Sequence, residues 1–125
     1  MNIYESAENY LETILILQHR KGEVRSIDIA SELNFSKPSV SYAMKQFREN
    51  GYIQMDTDNY ITLTPKGREI AERIYERHQL LTEYLLAIGV DEENSRTDAC
   101  RIEHVISPET FEKIKQQMRK ISEFR

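Results

Sequence analysis

The sequence predicts a mainly α-helical protein, with an N-terminal winged helix-turn-helix carrying a small β-hairpin wing and an all-helical domain after it. Three observations predict this. Apolar residues recur at three- and four-residue intervals along most of the chain, which is helical spacing. From Tyr52 the pattern changes to two short β-branched and aromatic runs around a polar turn. After Pro65 the helical period returns and continues almost to the end. The length of 125 residues suits one ordinary domain or two small ones, here divided as 1–64 and 65–125.

The elements follow in order. Ala7, Tyr10, Leu11, Ile14, Leu15 and Leu17 place a first helix over about 4–20, ended by Gly22. Ser26 is the expected N-cap of a short second helix with Ile27, Ile29, Ala30 and Leu33 on its apolar side. Asn34 and Phe35 form a turn. Ser36 then caps a third helix, and Pro38 falls in its first turn, where a missing N–H costs nothing. Its stripe is Val40, Ala43, Met44 and Phe47. The runs 52–55 and 60–64, separated by Asp56, Thr57, Asp58 and Asn59, predict a β-hairpin. Pro65 opens a long helix to about Ile88, with Ile74, His78, Leu81, Leu85 and Ile88 along its seam. Residues 91–95 read as a solvated connection, and a shorter helix is expected over about 96–106. Ser107 and Pro108 start the last helix, whose apolar residues are Phe111, Ile114, Met118 and Ile121.

Composition narrows the function. Hydrophobic residues make up 39% and charged residues 30%, enough apolar material for a core. No apolar run approaches the roughly 20 residues of a membrane span, and the start, Met-Asn-Ile-Tyr-Glu-Ser, lacks the basic and apolar regions of a secretory signal. The single cysteine cannot form an internal disulfide, so a cytoplasmic home is expected. With 4 Gly and 3 Pro, Gly-rich phosphate loops are nearly excluded. The net charge of -4 argues against nucleic acid only until its distribution is read. Between Leu33 and Arg48 stand Lys37, Lys45 and Arg48 with no acidic residue. Burial of the third helix's stripe leaves Ser39, Tyr42, Lys45 and Gln46 outside, with Ser36, Lys37 and Pro38 at the tip. Hydroxyls, free N–H groups and lysines at such a tip suit phosphates and base edges, and Pro38 suits a thymine methyl.

A second cluster lies in Asp98-Ala99-Cys100-Arg101-Ile102-Glu103-His104. On a helix, Cys100, Glu103 and His104 at i, i+3 and i+4 would share one face. Thiolate, carboxylate and imidazole together suit a divalent transition metal. His78 on the long helix's seam, and Asn9 and Glu12 on the first helix, are candidates to complete the site.

Taken together, these strings resemble the diphtheria toxin repressor family of iron- and manganese-dependent transcriptional repressors. The resemblance covers about residues 4–120. It is carried by Glu8-Asn9-Tyr10-Leu11-Glu12, Ser36-Lys37-Pro38-Ser39-Val40-Ser41, Leu63-Thr64-Pro65-Lys66-Gly67, Arg77-His78-Gln79-Leu80-Leu81 and the Asp98–His104 string. It implies a winged-helix DNA-binding domain, a helical dimerisation domain and a metal between them. Glu12, His78, Cys100, Glu103 and His104 match ligand positions, as does Asn9, where the iron branch has Met and the manganese branch Asp. Cys100 follows the iron branch. Arg96 and Thr82 replace the His and Glu of an ancillary iron-branch site, while His78 and Glu12 could support a binuclear site of the manganese type. Ser36, Pro38, Ser39, Ser41 and Tyr42 match the DNA-facing part of the recognition helix. The chain stops at Arg125, so the third, SH3-like domain of longer members is expected to be absent.

The function so implied is a homodimeric repressor of metal-uptake genes that binds a double-stranded DNA operator when loaded with Fe²⁺ or Mn²⁺. A thiolate ligand weighs towards Fe²⁺, with Mn²⁺ close behind, and Zn²⁺, Co²⁺ or Ni²⁺ are possible substitutes. The alternative is a winged-helix regulator that does not respond to metal and uses Cys100 as a redox switch. A metallohydrolase with the same ligands is disfavoured, since nothing resembles a dedicated nucleophile or an oxyanion hole.

Overall fold

The computed structural model describes Met1 and residues 3–123. The chain divides into two compact units, Met1–Glu72 and Arg73–Arg125.

In the first unit, α1 (Glu5–Lys21), α2 (Ser26–Leu33) and α3 (Lys37–Glu49) are followed by β1 (Ile53–Met55), β2 (Ile61–Leu63) and the start of α4 (Pro65–Ala87). Leu11, Ile14, Ile29, Val40, Met44, Phe47, Ile53 and Ile61 are at most 1% exposed and form its core. Phe47 meets Tyr10 and Tyr52 edge-on, at ring-centre separations of 5.9 and 6.3 Å. The turn between α2 and α3 is made by Asn34, in the left-handed region at φ 56°. Ser36 caps α3 as expected: its Oγ accepts the Ser39 N–H at 3.3 Å and donates to Ser39 Oγ at 2.8 Å. Arg25, rather than Ser26, is the N-cap residue of α2, because the Asp28 carboxylate reaches back to accept the Arg25 N–H at 2.8 Å.

The wing is an antiparallel pair with Ile53 opposite Leu63, Gln54 opposite Thr62 and Met55 opposite Ile61. Asp56 sets its turn by accepting the N–H groups of Asp58 and Tyr60, each at 2.9 Å. A backbone bond from Ile61 N–H to Val24 O, 2.7 Å, ties β2 to the segment before α2.

The sequence boundary at Pro65 marks the start of α4, yet the first two turns of this helix fold with the winged helix. Thr64 Oγ1 caps α4 by accepting the Gly67 N–H at 3.2 Å and donates to Gly51 O at 2.7 Å. Gly67 is buried against the Tyr52 carbonyl so closely that a Cβ there would overlap the oxygen.

The second unit holds the rest of α4, α5 (Glu92–Ile102) and α6 (Pro108–Glu123). Ile74, Leu81, Ala99 and Met118 are buried. Ser107 caps α6 through the Thr110 N–H at 3.1 Å, as expected from Ser107-Pro108. The fifth helix departs from expectation. It begins at Glu92 and ends at Ile102, four residues earlier at each end than the predicted 96–106. Asp91, read as part of a connection, is instead its N-cap, with Oδ1 on the Asn94 N–H and Oδ2 on the Asn94 amide, both at 2.8 Å. These bonds hold the Asp91 carboxyl below its ordinary pKa. Glu92 and Glu93 fall in the first turn, where the helix dipole favours negative charge.

Candidate functional site

Two places in the chain carry chemistry, one in each unit. In the first, α3 presents a row of side chains. Ser36, Lys37, Pro38, Ser39, Ser41, Tyr42 and Lys45 are all exposed, Tyr42 by 68%. Their exposure follows from the helical period: burying Val40, Met44 and Phe47 turns these positions outward. The α3 N-terminus carries no acidic residue in its first turn, so its N–H groups and partial positive charge are available to an anion. Beside α3 a groove of about 420 Å³ runs between α2 and the wing, with Arg25, Lys45 and Arg48 on its walls. Sequence reasoning missed Arg25. It precedes a helix without any motif, and its place emerges only when β2 folds back and brings the Tyr60 ring 4.3 Å under the guanidinium.

In the second unit, His78 and His104 flank the Glu103 carboxylate, one at each oxygen. Glu103 is 0% exposed. One of its oxygens, Oε2, lies 2.8 Å from His78 Nδ1, and the other, Oε1, lies 3.2 Å from His104 Nε2. The His104 side chain is 2% exposed and that of His78 28%. Burying a carboxylate is costly without compensating partners; His78 hydrogen-bonds Oε2, and the His104 ring lies beside Oε1. Carboxylate and imidazole are also the donor types that divalent first-row metals accept.

Glu103 is the C-cap of α5, still in helical conformation, and His104 lies in the turn that follows. Cys100, in the last turn of α5, is exposed. His78, which the pattern of α4 left open between core residue and ligand, joins Glu103 directly. On α1, Glu12 is buried at 4% exposure, an unusual state for a carboxylate. Asn9, one helical turn earlier, is partly exposed, and its backbone oxygen accepts a bond from Thr13 Oγ1 at 2.7 Å.

A winged helix with an exposed, basic third helix, and a helical unit with a buried carboxylate flanked by imidazoles, are the parts that a metal-responsive DNA-binding repressor requires. The comparisons agree. Residues 2–60 match the model of the iron-dependent repressor N-terminal DNA-binding domain, and residues 64–123 match that of the iron-dependent repressor metal-binding and dimerisation domain. The chain is 38% identical over 108 residues to the transcriptional regulator MntR of Salmonella typhimurium, covering 86% of this chain and 69% of that one. It is 37% identical over 109 residues to the HTH-type transcriptional regulator MntR of Lysinibacillus sphaericus, covering 87% and 78%. Among solved structures, a manganese-dependent transcriptional repressor in complex with manganese superposes with a TM-score of 0.79 at 25% identity, over 88% of this chain and 51% of that one. The chain thus spans about half the length of that structure's chain. It belongs to the iron-dependent repressor family, whose members regulate transcription rather than catalyse a reaction. No described helix is long and apolar enough to cross a membrane.

Proposed function

We propose that the chain works as a homodimer that senses Mn²⁺ or Fe²⁺ in the cytoplasm, binds a double-stranded operator in the metal-loaded form and controls metal-uptake genes. The observation that carries this reading is the fully buried Glu103 carboxylate with an imidazole at each oxygen. This donor set suits a divalent transition ion: oxygen and nitrogen ligands accept Mn²⁺ and Fe²⁺ without a thiolate.

His78, Glu103 and His104 would hold the ion, with Glu12 and Asn9 of α1 and Cys100 of α5 as the further proposed ligands. The burial of Glu12 supports its inclusion, since a buried carboxylate calls for a cation or a hydrogen-bond donor. The exposure of Cys100, together with a manganese-dependent structural relative, moves the preferred ion from Fe²⁺ towards Mn²⁺. When bound, the ion supplies positive charge that offsets the carboxylates and fixes the ligand-bearing segments to one another. The effect on DNA affinity equals the difference in metal affinity between the DNA-competent and incompetent forms.

On DNA, the Ser36–Ser39 tip and Lys37 would meet phosphates. Tyr42, Ser41 and Pro38 would face base edges, and Lys45 the backbone. Two α3 helices in a dimer suit half-sites about one helical turn, or a multiple of it, apart. The test is a titration of labelled promoter DNA with purified protein in chelator, then in Mn²⁺, anaerobic Fe²⁺ and Zn²⁺. Tighter binding with metal is expected, with Mn²⁺ or Fe²⁺ most effective. Equal binding with and without metal refutes the reading.

A further inference from the structure

We propose that Arg77 is the positioning residue of the metal centre: it holds the turn carrying Glu103 and His104 in place, and thereby sets metal affinity. The inference rests on the metal centre proposed above and concerns a residue outside its ligand set.

The proposed ligands His78 and Glu103 are 25 residues apart in sequence, and Glu103 lies just beyond α5. Helix ends leave carbonyl oxygens without helical partners. Arg77 serves two acceptors at this end. Its Nη1 donates to Glu103 O and to Ile106 O, each at 3.1 Å. One nitrogen with two N–H groups thus bridges both ends of the turn 103–106. The guanidinium also lies over the Phe111 ring on α6, 5.3 Å from its centre.

Arg77 immediately precedes His78 on α4. Glu103 is therefore gripped twice from the same stretch of helix: His78 Nδ1 contacts its carboxylate at 2.8 Å, and Arg77 contacts its backbone carbonyl. A displacement of the turn would move Glu103 and His104 together, because they are adjacent in the chain. Partners that orient ligands typically alter metal affinity by about 10–100-fold when removed. Arginine is suited to this task and lysine is not, since a planar guanidinium presents several donors in fixed directions and stacks on an aromatic ring.

The experiment uses the full chain with Mn²⁺ alone as the probe, by titration calorimetry, and Co²⁺ as a spectroscopic probe of ligand geometry. Circular dichroism follows the fold of each variant. Arg77→Met is expected to raise the Mn²⁺ Kd about 10–100-fold and to shift the Co²⁺ ligand-field bands. Arg77→Lys should fall between it and the wild type. A role confined to helix stability would lower the unfolding temperature and leave Kd and bands unchanged. Folded Arg77 variants with wild-type Kd and spectrum overturn the proposal. Should Arg77→Met not fold, Arg77→Lys and Phe111→Leu, which removes the ring face under the guanidinium, decide the matter by the same two readouts. Glu103→Gln separates the two levels. If its loss abolishes binding while Arg77 variants bind normally, only the positioning role falls. A wild-type chain that binds neither Mn²⁺ nor Co²⁺ overturns the metal centre and this role together.

Discussion

Gly67→Ala should destabilise the winged-helix unit, against the usual sign of such a change. Alanine is the better helix former, and replacing glycine inside a helix normally stabilises by about 0.5–1 kcal/mol. Gly67 lies in the first turn of α4 with no positive φ, so nothing in its own backbone opposes alanine. The obstacle is across the interface. A Cβ at Gly67 would overlap the Tyr52 carbonyl oxygen and press on its carbon at 3.0 Å and on Leu63 Cδ2 at 3.4 Å. The overlapped atom is backbone and is committed, since Tyr52 O also accepts the Thr64 N–H at 3.1 Å. Forcing an extra methyl into such a contact costs about 1–3 kcal/mol. A backbone obstacle belongs in the upper part of that range, so subtracting the propensity gain leaves a net loss of about 1–2 kcal/mol. For a unit of this size that lowers the melting temperature by roughly 4–8 °C per kcal/mol. Urea unfolding followed by circular dichroism measures it. A variant as stable as the wild type, or more stable, would refute the steric argument.

Other substitutions test other parts. Glu103→Gln and His104→Ala should each remove the metal-dependent increase in operator affinity while metal-free DNA binding persists; electrophoretic mobility shifts with and without Mn²⁺ would show it, and full metal response in both variants would contradict the assigned cluster. Lys45→Ala should weaken DNA binding about equally across sequences and reduce the slope of log affinity against log salt by about 1 per protomer. Tyr42→Ala should instead relax sequence preference, read by competition between operator and scrambled DNA. Ser36→Ala should cost about 1 kcal/mol through the lost cap of α3, measurable by denaturant unfolding. The Lys21 ammonium beside Asp28 holds its carboxyl below the ordinary value of 3.8. Its folded pKa is depressed, so the stability it contributes is present above that value and is lost as pH falls through the lower folded one. Asp28→Asn should therefore flatten the loss of stability below about pH 4, while leaving the slope above pH 5 unchanged.

Much of this molecule was determined by the sequence itself. Periodicity set the helices, Ser36 and Ser107-Pro108 marked two helix starts, and the turn-forming tetrad 56–59 marked the wing. These signals are local, so each can be read from a few neighbouring residues. The basic stretch 33–48 marked a candidate nucleic-acid face that the net charge of -4 concealed. Other features depended on contacts between distant residues. The polar run 91–95 reads from sequence as a connection; the structure makes it the cap and first turn of α5, with Ser95 and Ala99 buried. That shift ended the helix at Ile102, with Glu103 as its C-cap and His104 in the turn beyond. On α4 alone His78 read more as core than as ligand; packing then sets its imidazole against Glu103. Arg77 had no signal of its own, because its partners are backbone carbonyls that any sequence would supply. Spacing along one helix can say which side chains share a face, but only tertiary packing brings a residue of α4 against a turn 25 positions later, and the buried carboxylate–imidazole cluster is made there.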